Sequence, residues 1–127
     1  MYKEYNPNPA SIKIVGDCAI RAVAKALDTD WESAYIKLAV NGLLMGDLPN
    51  SNYVIASVLR QNGFQRLDMT NTCPDCITVS EFAEEHPKGT YLLGMGDHVV
   101  TVIDGNYYDV FDSGDEIPAY AWFKKGE

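Results

Sequence analysis

"GDHVVTVIDGNYYDVFDS", residues 96–113, is the stretch on which the fold turns. "HVVTVI" is an apolar, β-branched run, "YYDVF" is a second, and "DGN" between them is a strong hairpin signal. Antiparallel pairing about Asp104 and Gly105 brings residues near 111 and 112 alongside residues near 97 and 98. "TYLLGM" just upstream reads as another strand, and the tail "AYAWFKK" as one more. The C-terminal third is therefore expected to be an antiparallel sheet.

Working outward, the preceding segments have helical spacing. Ala19, Ala22, Val23, Ala26 and Leu27 predict a first helix from about Asp17 to Leu27, slender enough to be enclosed on several sides. Thr29 and Glu32 have the spacing of a capping box, with Trp31, Ala34, Tyr35 and Leu38 lining one face toward Asn41 and Gly42. "LMGDLPNSN" reads as a loop. Val54, Ile55, Val58 and Leu59 place a third helix over roughly Ser51 to Asn62, with Gly63 as its stop. "FQRLDM" is a short strand candidate, and Thr78 with Glu81 opens a brief helix that ends by His86, ahead of Pro87. Asn6, Pro7, Asn8 and Pro9 favour extended or turn backbone at the N-terminus. No repeat or linker divides the chain, so the expectation is a single α+β domain over 1–127, helices packed on a C-terminal antiparallel sheet.

The chain has 127 residues, 46% of them hydrophobic and 22% charged, with a net charge of −8. Ten scattered basic residues do not make a nucleic-acid surface. No segment approaches the roughly 18–20 apolar residues of a membrane span, and no secretory signal opens the chain, so a cytoplasmic protein is expected. Three cysteines in a reducing compartment are expected to be thiols.

Chemistry concentrates at Cys18. A thiol at a helix N-terminus meets unpaired backbone amides and the positive end of the helix dipole, both of which favour the thiolate. The same amides donate to an oxyanion developing on an attacked carbonyl. The thiol needs a base. His86 closes a polar helix and reads as a solvated cap residue, whereas His98 opens an apolar strand and projects from the end of the sheet. Asp112, on the adjoining strand, falls beside His98 in the hairpin register and would orient the imidazole. Asp109 lies nearer the turn, opposite about Thr101, and ranks lower.

The order of cysteine at a helix start, histidine opening a strand and aspartate on the next strand, carried by "GDCAIRAVAKAL" and "GDHVVTVIDGNYYDVFDS", resembles the papain-like cysteine peptidase superfamily. Its small bacterial and phage members and the bacteriocin-leader peptidases are the nearest in pattern. The resemblance covers the N-terminal helix and the C-terminal sheet, not the middle. It implies a papain-like fold and a thiol hydrolase cleaving a peptide or isopeptide bond. Cys18 would attack, His98 would act as general base and then acid, and Asp112 would orient His98, with neither metal nor cofactor. The implied partner is a protein or peptide substrate, not nucleic acid or membrane. In that superfamily a Gln a few residues before the nucleophile completes the oxyanion hole. "SIKIVG", residues 11–16, has none, and of the upstream amides Asn6 and Asn8, Asn8 is the nearer substitute. Two alternatives use the same scaffold: acyl transfer or transglutamination through the same thioester, and a catalytically idle domain whose acidic surface covers a partner.

"CPDC", residues 73–76, admits a redox reading, but no βαβ pattern precedes it. A zinc site would have His86 as a third ligand and lack a fourth. A turn whose two thiols form a reversible disulfide is the expectation.

Overall fold

The computed structural model describes residues 1–10, 15–70 and 72–126. Its elements run β1 (Tyr2–Glu4), α1 (Cys18–Ala26), α2 (Trp31–Met45), α3 (Asn52–Gln61), β2 (Phe64–Asp68), α4 (Val79–Glu85), β3 (Thr90–Gly94), β4 (Val99–Ile103), β5 (Asn106–Asp109) and β6 (Tyr120–Lys124). The described strands form one sheet in the order β1-β5-β4-β3-β6-β2. All neighbours are antiparallel except β1 and β5, which run parallel. The fold is α+β, with a mixed sheet where a purely antiparallel one was expected.

The hairpin forms as its sequence demands. Asp104 and Gly105 take φ of 49° and 81°, the paired positive values of a two-residue turn that matches the strand twist. Ile103 then pairs with Asn106, Val102 with Tyr107 and Thr101 with Tyr108.

The central strands are apolar on successive residues because both faces are covered. On one face α1 and α3 pack against Leu92, Val99, Tyr120 and Trp122. On the other, Val79, Phe82 and Ala83 of α4 pack against Leu93, Val100, Val102 and Ala121. Alanines bring α1 close to the sheet, so close that buried Thr101 donates its hydroxyl to the Ala22 carbonyl at 2.6 Å. That bond satisfies a polar group that would otherwise be orphaned in the core, and it ties the first helix to β4.

Two helix boundaries differ from the sequence reading. Asp30, not Thr29, caps α2, accepting from the Ser33 N–H at 2.7 Å. The helix also runs past Gly42 to Met45, ending where Gly46 takes a left-handed φ of 68°. Gly42 is helical, and the returning loop leaves room there for glycine alone: a Cβ would sit 2.8 Å from the Asp47 carbonyl oxygen. The Thr78–Glu81 capping box forms in full.

Candidate active site

Cys18 is the first residue of α1, half-buried, and the free cysteine of the described chain. His98 immediately precedes β4, and its imidazole lies within hydrogen-bonding reach of the Cys18 thiol. The Nε2 atom of His98 is 2.6 Å from Oδ2 of Asp109, which leaves Nδ1 as the nitrogen for the sulfur. Cysteine, imidazole and carboxylate thus stand in one line, the imidazole hydrogen-bonded to the carboxylate and interacting with the thiol, with Cys18 and His98 at the wall of a cleft of about 350 Å³.

The acid in that line is Asp109, which corrects the expectation of Asp112. The hairpin register itself is as read, since the His98 ring meets the ring of Phe111 at 5.1 Å. What the register alone does not give is where the ladder ends. β5 stops at Asp109 and the chain turns away. Asp112 is consumed by that turn, accepting from the Gly114 N–H at 2.9 Å and the Tyr107 hydroxyl at 2.6 Å. Asp109, at the strand's end, turns its carboxylate toward α1 and reaches His98.

Asp109 is 2% exposed and meets a donor on every side. Besides His98, it accepts from the Ser113 hydroxyl at 2.8 Å, the Val110 N–H at 2.8 Å and Nη2 of Arg21 at 3.3 Å. Burial pushes its pKa up, but His98 and Ser113 outweigh that and hold it below the ordinary carboxylate value. Arg21 lies one turn beyond Cys18 on α1 and also pairs with Asp17. Asp17 in turn accepts from Nε1 of Trp31 at 2.9 Å. The buried chain Asp17–Arg21–Asp109 therefore locks the helix carrying the thiol to the strand carrying the acid. Paired and multiply hydrogen-bonded charges of this kind persist in a core where isolated ones do not.

The network sets the charge state of the pair. Burial pushes the Cys18 thiol up. The His98 hydrogen bond, the Val99 N–H and the positive charges of His98 and Arg21 overcome it and bring the pKa below the usual thiol value. Burial opposes protonation of His98, yet its bonds to Asp109 and Cys18 raise it to about 10. Each group thus favours the charged form of the other, thiolate beside imidazolium. The two groups titrate as a coupled pair.

The other expected residues fall elsewhere. Asn8, expected to complete the oxyanion hole, directs its Nδ2 to Asp17 at 3.4 Å and accepts from the Ala10 N–H at 3.0 Å. It is absent from the cleft lining, which includes Asn50 and Asn52 as its side-chain amides, with Gly16, Gly96 and Asp97. Asn8 is displaced from that role because the buried Asp17 carboxylate claims its amide. Residues 11–14, the larger part of the stretch searched for a glutamine, lie outside the described residues. Asn52 accepts from the Tyr120 hydroxyl at 3.4 Å. Tyr120 lies flat over Gly94, where any Cβ would come within 2.0 Å of its ring. His86 packs its ring on Phe82 at 3.8 Å between centroids and places Nδ1 2.7 Å from the Phe82 carbonyl oxygen. It is a helix-end residue, as expected. Cys73 and Cys76 are joined as a disulfide, the pairing that the turn reading of residues 73–76 allowed. Among the described residues no cluster of three or more His, Cys, Asp or Glu side chains could hold a metal ion.

Arg21 is the residue sequence reasoning missed, and a signal for it exists. One arginine amid "CAIRAVAKA", in a helix whose neighbours are alanine and valine, is a charge where burial is expected. It requires a buried acid. Asn50 and Asn52 carried no such signal, because they enter the cleft only through the tertiary placement of α3.

No protein-family model, curated protein or solved structure matches the chain. The functional reading rests on the geometry.

Proposed function

We propose that the protein is a thiol hydrolase of papain-like type that cleaves a peptide or isopeptide bond through Cys18, His98 and Asp109. One observation carries the reading: a single imidazole that shares a cleft wall with a helix-terminal thiol and is hydrogen-bonded on its other side to a buried carboxylate. The Cys18 thiolate attacks the carbonyl carbon. The oxyanion that forms takes donors from the start of α1, with Asn50 or Asn52 supplying a side-chain amide in the role first given to Asn8. His98, already protonated, delivers its proton to the leaving amine, and the acyl group remains on sulfur as a thioester. Water then attacks that thioester with His98 as base, returning the proton and releasing the acid. Asp109 stays ionised throughout and holds the ring in one orientation. Capture of the thioester by an amine instead of water gives the transfer reaction through the same groups.

The test is labelling by a peptide vinyl sulfone, which adds to an attacking thiolate. In the chain with its disulfide reduced, Cys18 is labelled ahead of Cys73 and Cys76, and His98→Ala slows that labelling on the order of 10²-fold or more. Equal labelling of the three cysteines, or labelling of Cys18 indifferent to His98, ends the reading.

A further inference from the structure

Two side-chain amides line the cleft, those of Asn50 and Asn52. An amide has two unlike ends. Its nitrogen donates and its oxygen accepts, and only the nitrogen end stabilises a carbonyl oxygen that is gaining negative charge. The asparagine that serves must therefore be held with its nitrogen toward the reacting carbonyl.

Asn52 is the first residue of α3, as Cys18 is of α1, and both side chains share the cleft lining with Ile55. The Tyr120 hydroxyl donates to Oδ1 of Asn52 at 3.4 Å. With its oxygen so engaged, the amide has Nδ2 left as the end for the cleft. Tyr120 can hold it because the ring is pinned from two directions. Gly94, its partner across β3 and β6, has no side chain, and a Cβ there would overlap the ring. The Arg66 guanidinium lies over the ring, 4.3 Å from its centroid. Burial pushes the Tyr120 pKa up, the Arg66 charge opposes this, and the charge of Cys18 adds to the rise, so the hydroxyl keeps the proton it donates. Asn50, in the loop ahead of α3, has no hydrogen-bond partner for its side chain among the described residues.

We infer that Asn52 is the side-chain donor of the oxyanion hole, and that Tyr120 is the positioning residue that turns the Asn52 amide nitrogen toward the reacting carbonyl. The inference rests on the thiol-hydrolase reading and adds a catalytic residue to it. As the Cys18 sulfur bonds to the carbonyl carbon, the π pair of the C=O moves onto oxygen. Nδ2–H of Asn52 donates to that oxygen beside the amides that open α1. The pair returns to carbon when the amine departs with the His98 proton. The donor enters from α3, after the nucleophile in sequence, where the papain-like pattern places it a few residues ahead.

The test compares two reactions of Cys18 in the chain with its disulfide intact. Iodoacetamide alkylates the thiolate by displacement at a saturated carbon and forms no oxyanion. p-Nitrophenyl acetate acylates it through one. In Asn52→Ala the acylation rate, read as p-nitrophenolate release, is expected to fall on the order of 10²-fold, while alkylation keeps its wild-type rate. Tyr120→Phe, which frees the amide to turn, is expected to slow acylation about tenfold, the scale of one hydrogen bond, and to add nothing to Asn52→Ala in the double variant. A purely structural Tyr120 would add its own loss there and would slow alkylation as well. Acylation of Asn52→Ala at the wild-type rate, an equal fall in both reactions, a fall in Asn50→Ala alone, or additive losses in the double variant overturns the inference and leaves the thiol reading standing. A wild-type Cys18 that takes up no acyl group ends that reading, and the inference with it.

Discussion

The helices α1 and α4 start differently. At α4 the chain caps itself: Thr78 accepts from the Glu81 N–H at 3.1 Å, and the Glu81 carboxylate accepts from the Thr78 N–H at 2.9 Å. At α1 the capping residue Asp17 makes no side-chain cap bond. Its carboxylate goes to Arg21 and Trp31 instead. A side-chain cap contributes about 1 kcal/mol, and α2, α3 and α4 all have one, through Asp30, Ser51 and Thr78. The helix that bears Cys18 goes without. Its first-turn amides are left to the thiolate and to whatever oxyanion forms beside it, while Asp17 anchors the guanidinium that holds Asp109. The two termini present the same backbone donors, one capped by its own side chains and one left uncapped.

The largest test of that contrast is Arg21→Met. It leaves two buried carboxylates without their common cation, and chemical denaturation is expected to show a loss of about 3–5 kcal/mol. Arg66→Met removes an exposed pair with Asp68 and is expected to cost less than about 1 kcal/mol. Equal losses would mean that the Asp17–Arg21–Asp109 chain contributes no more than a surface contact.

Next comes the choice of acid. Asp109→Asn is expected to slow Cys18 labelling on the order of 10²-fold, because it removes the charge that favours the imidazolium. Asp112→Asn, at a carboxylate that accepts from Tyr107 and Gly114, leaves the rate within about twofold on the surface-substitution scale. The reverse ranking would restore the acid first read from the hairpin register.

The pH dependence follows from directions already given. Cys18 titrates below a free thiol, so alkylation is lost as pH falls through that lowered value and not through the free-thiol one. His98 is raised from 6.5 to about 10. A raised folded-state value means that its contribution to stability is complete below about 6.5 and disappears as pH rises through about 10. Asp109 is lowered, so its contribution is present above the ordinary carboxylate value and is lost as pH falls through the depressed one. Cys18 is lowered and contributes in the opposite sense over the same range, so it is in Cys18→Ala that denaturation midpoints should decline from pH 6 to 10, and adding His98→Ala should flatten that decline. A decline that survives that substitution would mean another group carries it.

The smallest effect belongs to α4. Thr78→Ala should cost about 1 kcal/mol and leave Cys18 labelling unchanged, since the cap serves only the fold.

Much of this was legible in the sequence, for local reasons. The Asp104–Gly105 turn, the alanine helix behind Cys18, His98 opening a strand and the Thr78 box are set by residues within a few positions of one another. What was not legible depended on where elements end and what covers them. Asp112 was preferred to Asp109 because pairing was extended past the last rung of β5, and no residue between them announces that the ladder stops. Asn8 looked like a donor because the buried Asp17 that claims its amide was not yet in view. β1 escaped notice because its three residues gain strand character only by pairing with Tyr107, Tyr108 and Asp109, about a hundred positions away.

Strand β1 has one more consequence. Glu4 pairs with Asp109, the Tyr5 N–H donates to the Asp109 carbonyl at 2.8 Å, and the Tyr2 hydroxyl reaches the same oxygen at 3.1 Å. Lys25 of α1 clasps the arrangement, its ammonium over the rings of Tyr5 and Tyr108. The backbone of the acid is thus moored by the chain's opening residues, which lie far from it in sequence. A protease that nips off those few residues would loosen the strand behind His98 without touching the cleft.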